Sequence, residues 1–216
     1  MTSELGVIAA ILGALLIGAI SPGPSFVMVL RTSIALSRGD GLAAAIGMGL
    51  GGALFGTAAL LGLTALLAQV EWLYIVLKLA GGAYLIYLAI RIWQGARNPI
   101  AIPQTAAFRS NSLWRSFSVA LMTQLSNPKT AVAYASIFAA LLPPHIPAWM
   151  IMVLPPLIFF IETSWYATVS VVFSAQRPRS LYVSAKGWID RVTSFVIGGL
   201  GLRVIYETAR VHRLLS

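Results

Sequence analysis

The sequence predicts an all-α membrane protein: six transmembrane helices as two inverted three-helix repeats, with helices 1 and 4 broken. Three observations predict it. The chain is 58% hydrophobic and only 10% charged, with a mean hydropathy of +0.85, whereas a soluble domain carries roughly a quarter charged residues to solvate its surface. The apolar stretches are continuous rather than alternating, which makes helices, not the strands of a closed barrel, the spanning elements. The 216 residues hold about six spans of ~20 residues with short connections, and leave no room for a soluble domain of ordinary size. A single transmembrane domain over 1–216 is expected, with half one at about 1–96, a connecting loop at 97–112 and half two at about 113–216.

The first apolar run, 5–30, follows Met1-Thr2-Ser3-Glu4, which lacks a basic stretch. It reaches Ile20 without a convincing cleavage site before Pro22, so it reads as the first helix and not as a removed signal. The second run, 42–69, follows Arg31, Arg38 and Asp40. Its small-residue spacings, Gly47/Gly51 and Gly52/Gly56, read as a packing or sliding face. They are no phosphate loop, because the Lys-Ser/Thr ending is missing. The third run, 72–94, follows Gln69-Val70-Glu71 and carries Lys78, expected to snorkel to the headgroups. The longest gap, Gly95 to Ser112, contains Arg97, Asn98, Pro99, Pro103, Arg109 and Asn111. The fourth run is 114–141. Pro143-Pro144-His145-Ile146-Pro147 separates it from the fifth, 149–175, and Gln176-Arg177-Pro178-Arg179 with Lys186 leads into the sixth, 189–210.

Charge sets the expected orientation. Arg31 and Arg38 flank the first connection, Arg91, Arg97, Arg109 and Arg115 the third, and Arg177, Arg179, Lys186 and Arg191 the fifth. The second and fourth connections have no basic residue. Odd connections are therefore expected in the cytoplasm and both termini outside, although Arg210 and Arg213 argue the other way. The net charge of +9 is scattered at helix ends and forms no basic stripe, so no nucleic-acid partner is expected. Zero cysteine excludes disulfides and thiolate metal sites. With only His145 and His212 as histidines, no metal or other cofactor is expected.

Helices one and four each contain a proline break, Ser21-Pro22-Gly23-Pro24 and Ser126-Asn127-Pro128-Lys129. Helices three and six each contain a glycine pair, Gly81-Gly82 and Gly198-Gly199, followed by a leucine three residues later (Leu85, Leu202). A proline lacks an amide hydrogen and opens the helix ladder, and lipid cannot satisfy the freed groups. Paired interruptions in two halves are the best sequence pointer to a transport site. A lone proline would be an ordinary kink, and the glycine pairs read as close helix packing.

Together these residues resemble the lysine exporter/homoserine–threonine resistance (LysE/RhtB) family. The Pro22-Gly23-Pro24 element, the short basic connection from Arg31 to Gly41, Gly81-Ala83-Tyr84-Leu85, Asn127-Pro128-Lys129 and Gly198 to Leu202 occur in the order and helices of that family, over essentially the whole chain. The resemblance implies a secondary exporter of amino acids or their derivatives in the inner membrane, driven by the proton gradient. The family often has Asn or Asp after Pro-Gly-Pro, where this chain has Ser25.

The expected substrate-binding residues are Ser21, Pro22, Gly23, Pro24, Ser25, Asn127, Pro128 and Lys129. Glu162, with Trp165 three positions on as in related proteins, is the expected proton-coupling residue. An ionisable group in mid-span costs about 2.5–3.5 kcal/mol on insertion scales and therefore faces inward with a partner. Lys129 is a natural partner for it, or else a hook for a substrate carboxylate; a fixed ion pair that only joins helices is the plainer alternative. Asp40 is read as a gate at the inner mouth or as an N-cap of the second helix. The partners expected are a small-molecule substrate, protons and the lipid bilayer, and the small-residue faces are compatible with a homodimer. An intramembrane protease is disfavoured, since it needs a histidine base within the membrane and both histidines lie in a loop or tail. A non-transporting membrane module (lipid-handling or assembly factor) is the alternative to export.

Overall fold

A computed structural model describes residues 2–67, 71–98 and 112–215. Most of the predicted 97–112 connection, with Pro99, Pro103, Arg109 and Asn111, lies outside the described residues, as do Gln69, Val70 and the side chain of His212. Eight helices are described: α1 (Thr2–Ile20), α2 (Pro24–Ala35), α3 (Arg38–Leu67), α4 (Glu71–Gly95), α5 (Leu113–Leu125), α6 (Pro128–Leu141), α7 (Ala148–Val172) and α8 (Gln176–Leu215). There is no strand among them.

The first and fourth predicted runs are each two helices, divided where proline stands. Pro24 and Pro128 occupy the opening turns of α2 and α6, where the missing amide hydrogen costs nothing and the fixed φ suits the helix. The residues before them, Gly23 (φ −132°, ψ −169°) and Asn127 (φ −82°, ψ 103°), are extended, because proline disfavours helical geometry in its predecessor. At the first break α1 and α2 bend by 59°. Pro155 and Pro156 lie inside α7, which runs through both.

Among the described residues three helices are individually long and apolar enough to cross a membrane, over Arg38–Ala65, Leu73–Gly95 and Ala148–Val172, and the bent α1–α2 pair passes the same measure when its two helices are taken together. The other two predicted spans are helical, but each differs from a plain apolar rod. The fourth is cut into pieces of 13 and 14 residues, each too short alone. The sixth lies in a 40-residue helix that carries Lys186, Asp190, Arg191, Arg203 and Glu207.

α3 packs most extensively on α7 and α5, and α4 on α8 and α6. Glycines permit these approaches. A Cβ on Gly82 of α4 would lie 3.1 Å from the Gly201 carbonyl of α8, and one on Gly201 would lie 2.6 Å from the Gly82 carbonyl, so the glycine-rich stretches of the third and sixth runs face each other. On α3, Gly47 and Gly51 meet α5, while Gly52 and Gly56 meet α7. The expected packing faces are thus occupied by helices of the second half.

Cross-links gather several helix ends at one end of the bundle. Ser116 Oγ of α5 donates to Asp40 Oδ1 of α3 at 2.7 Å, Arg38 Nε donates to Ser174 Oγ at 3.4 Å, and Lys186 Nζ of α8 donates to the Gly95 carbonyl at 2.7 Å. Tyr74 OH, near the start of α4, donates to the Leu142 carbonyl at 3.1 Å at the opposite end. Large apolar side chains such as Phe195 (72% exposed) and Leu181 (70%) lie bare on the outer surface, as a lipid-facing surface requires.

Candidate functional site

Each break leaves main-chain groups without their helical partners, and the two solve this differently. Pro24 offers no amide hydrogen to the Ile20 carbonyl, and Tyr182 OH of α8 donates to that oxygen instead. Trp165 Nε1 of α7 donates to the neighbouring Ala19 carbonyl at 3.1 Å. The end of α1 is therefore capped by aromatic side chains of the second half. The second break caps itself: Asn127 N donates to the Gln124 carbonyl at 3.1 Å, and the Asn127 side chain accepts from Lys129 N, also at 3.1 Å.

Between the breaks lies a cavity of about 80 Å³. Ser21, Gly23, Pro24, Ser25, Asn127, Lys129 and Glu162 all line it. Two separate apolar clusters contribute to its wall, through Leu88, Ile137 and Ile197 from one and Phe26 and Tyr166 from the other. The two proline elements touch: Asn127 Nδ2 donates to Ser25 Oγ at 3.5 Å, and a Cβ on Gly23 would lie 3.8 Å from Lys129 Nζ. Pro22 lines a second, wider cavity of about 390 Å³ beside the first, with Arg91, Lys186 and Asp190. Lys129, Leu88 and Ile92 border both. Pro128 lines neither; it holds the start of α6.

Glu162 is buried, 3% exposed. Tyr134 OH donates to its Oε1 at 2.5 Å and Gln124 Nε2 to its Oε2 at 3.2 Å. Ser25 Oγ donates to Gln124 Oε1 at 2.7 Å. The first break is thus connected through Gln124 to Glu162. The expected Glu162–Lys129 pair is not formed. Neutral donors satisfy the carboxylate, and the Lys129 side chain makes no hydrogen bond or ion pair among the described residues. Gly52 keeps the carboxylate's space open, since a Cβ there would lie 2.4 Å from Glu162 Oε2.

Asp40 stands apart from the cavity. Ser37 Oγ accepts from Asp40 N at 3.0 Å and donates to Asp40 Oδ2 at 2.6 Å, so Ser37, and not Asp40, is the N-cap of α3, and the Asp40 carboxylate holds the capping hydroxyl. Its other oxygen ties α3 to Ser116. Lys78 sits over the Tyr74 ring at 4.9 Å.

Four side chains at the site escape a reading by motif: Gln124, Tyr134, Lys186 and Asp190. Gln124 and Tyr134 carry no charge and reach Glu162 only through tertiary packing. Lys186 was counted among the basic residues of the fifth connection, yet it is buried and bound to Asp190 Oδ2 at 2.6 Å, while Ser21 Oγ donates to Asp190 Oδ1 at 2.7 Å. The four-residue spacing of Lys186 and Asp190 on a helix was the available signal.

A model of the LysE type translocator family matches residues 16–208. The membrane protein YahN of Escherichia coli (strain K12) is 31% identical over 198 residues, which cover 90% of this chain and 87% of the relative. The threonine efflux protein of the same organism is 28% identical over 88% of this chain and 93% of its own length. The homoserine/homoserine lactone efflux protein of Salmonella typhimurium is 30% identical over 59% of this chain and 61% of its own. No solved structure matches. Matched in sequence from within α1 to within α8, the chain belongs to the LysE type translocator family.

Proposed function

We propose that the chain is a secondary active exporter of amino acids or amino-acid derivatives across the inner membrane, working by proton-coupled antiport. The observation that carries this reading is the shared cavity, which has both proline breaks, a buried acid and, on its wall, a lysine with no hydrogen bond or ion pair among the described residues. Relatives named for threonine and homoserine efflux support the substrate class.

The chemistry suits a zwitterion. Lys129 takes the solute carboxylate in a charge-assisted hydrogen bond. Glu162 takes the ammonium group when ionised, and the apolar wall takes an uncharged side chain. A proton and an ammonium group compete for the same carboxylate, so loading one expels the other. That exclusivity is the basis of exchange. Six spans, with one three-helix half rocking against its inverted counterpart, supply alternating access; the pairing of α3 with α7 and α4 with α8, helices at equal places in the two halves, supports this. Asp40 then helps to hold the inner mouth through Ser116. Purified protein in vesicles should exchange labelled L-threonine or L-homoserine at a rate set by the pH gradient. Absence of flux across a broad amino-acid panel, with folded protein, sinks the reading in favour of a non-transporting module.

A further inference from the structure

We infer that Asp190 is a positioning residue of the transport cycle: with Lys186 it anchors the Ser21 end of the first break, about which the break pivots while its Ser25 end follows Glu162. The inference rests on the exporter reading for its turnover measurement.

Ser21 and Ser25 flank Pro22-Gly23-Pro24, and each is tied to a different acid of the second half. Ser21 Oγ donates directly to Asp190 of α8 at 2.7 Å. Ser25 Oγ donates to Gln124, which donates to Glu162 of α7. The two ties differ in kind. Asp190 is neutralised at 2.6 Å by Lys186 on its own helix, and Lys186 is fixed in turn by the Gly95 carbonyl at 2.7 Å. Both are buried. This end joins α8, the last turn of α4 and the break through charge-assisted bonds, which are the strong ones. At the other end the donors to Glu162 among the described residues are neutral, and its link to Gln124 is the longer 3.2 Å. A proton or a solute at Glu162 alters that link, while the Asp190 end has its charge already matched.

A hinge needs this asymmetry. With one end fixed, a small displacement at the other becomes a rotation of the helix between them; with both ends loose, it dissipates. Stability alone is a poor explanation for the pair, because replacing a buried ion pair by apolar residues is often neutral or stabilising.

That last point supplies the test. The double variant Lys186→Met/Asp190→Leu removes the anchor without leaving an unpaired charge. The chain has no cysteine, so Gly18→Cys introduces a single thiol on the cavity wall, at a position where a Cβ has no heavy atom within 4 Å. Turnover of labelled L-threonine per folded molecule should fall at least about tenfold in the double variant, the loss equivalent to one hydrogen bond to a charged group. KM should stay within about threefold, since the two substituted residues line the wider cavity and not the smaller one in which the solute is proposed to sit. The change that L-threonine causes in labelling of the Gly18→Cys thiol should disappear. Parent-like turnover and labelling overturn the inference. If the double variant fails to fold, Ser21→Ala, which deletes one hydroxyl, decides: reduced turnover at an unchanged KM supports the anchor, and normal turnover or a loss confined to KM removes it. If the parent itself shows no flux, the exporter reading fails separately, and an unchanged thiol labelling rate in the double variant still overturns the anchor while an altered one supports it.

Discussion

Glu162 and Lys129 are the two residues on which the proposed exchange depends, and the structure makes them separable because they do not bond to each other. Glu162→Gln keeps the shape that Tyr134 and Gln124 surround but cannot take up a proton. Solute flux in this variant should lose its dependence on the pH gradient; a retained dependence places the coupling elsewhere. Lys129→Met should raise KM for an amino acid at least about tenfold, the worth of a charge-assisted bond, and leave KM for the corresponding amino-acid amide unchanged. An equal rise for both means that Lys129 does not read the carboxylate. Glu162 and Lys129 were both visible in the sequence, one as an acid in an apolar run and the other beside a proline. Their partnership was not. Which donor satisfies a buried acid depends on which helices cross beside it, and here a tyrosine from α6 and a glutamine from α5 arrive closer than the lysine. Gly52, across α3, matters for the same reason: Gly52→Ala puts a methyl group within 2.4 Å of Glu162 Oε2. Such overpacking costs about 1–3 kcal/mol and should displace the carboxylate, measured as lost flux with a lowered melting temperature.

At the scale of the helix, the breaks were legible because proline's missing hydrogen is a property of the residue itself. Both helix starts fall on the predicted prolines. The caps that complete the first break were not legible, since Trp165 and Tyr182 are distant in sequence and look like ordinary interfacial aromatics. Tyr182→Phe tests the capping account. It deprives the part-buried Ile20 carbonyl of its donor, at a cost of up to the ~1–3 kcal/mol of a fully buried unsatisfied group. The melting temperature of purified protein should fall accordingly, and no change means that water or another donor serves the carbonyl equally well. The glycine pairs read as close packing, and Gly81, Gly82 and Gly198 do lie against neighbouring helices, but a Cβ on Gly199 would meet nothing within 4 Å, and the closest approach from α8 is made by Gly201, outside the pair. Lys186 shows the opposite error. A basic residue near the end of an apolar run is usually a topology signal, and only its four-residue spacing from Asp190 marked it as half of an internal pair.

At the scale of the molecule, the end of the bundle where α3, α5 and α8 begin and α4 and α7 finish also holds Arg38, Arg91, Arg97, Arg115, Arg177 and Arg179. The positive-inside bias predicts that this end faces the cytoplasm. The wider cavity opens there, lined by Tyr87 and Arg91 from the last turns of α4, and it adjoins the smaller cavity across Lys129. On the proposed exporter reading, in which solute loads from the cytoplasm, a wide basic antechamber at this end, leading to a lysine that both cavities share, is where a carboxylate-bearing solute would enter. The orientation and the state are tested together with one thiol in a chain that has none of its own. Tyr87 is 52% exposed on the wall of the wider cavity. Tyr87→Cys should react with a membrane-impermeant maleimide in inside-out vesicles and resist it in right-side-out cells. Excess L-threonine with an outward-directed driving force should slow the reaction by drawing the population toward the outward-open form. Reaction from the cell exterior alone reverses the assigned topology, and with it the direction in which the basic antechamber feeds the site.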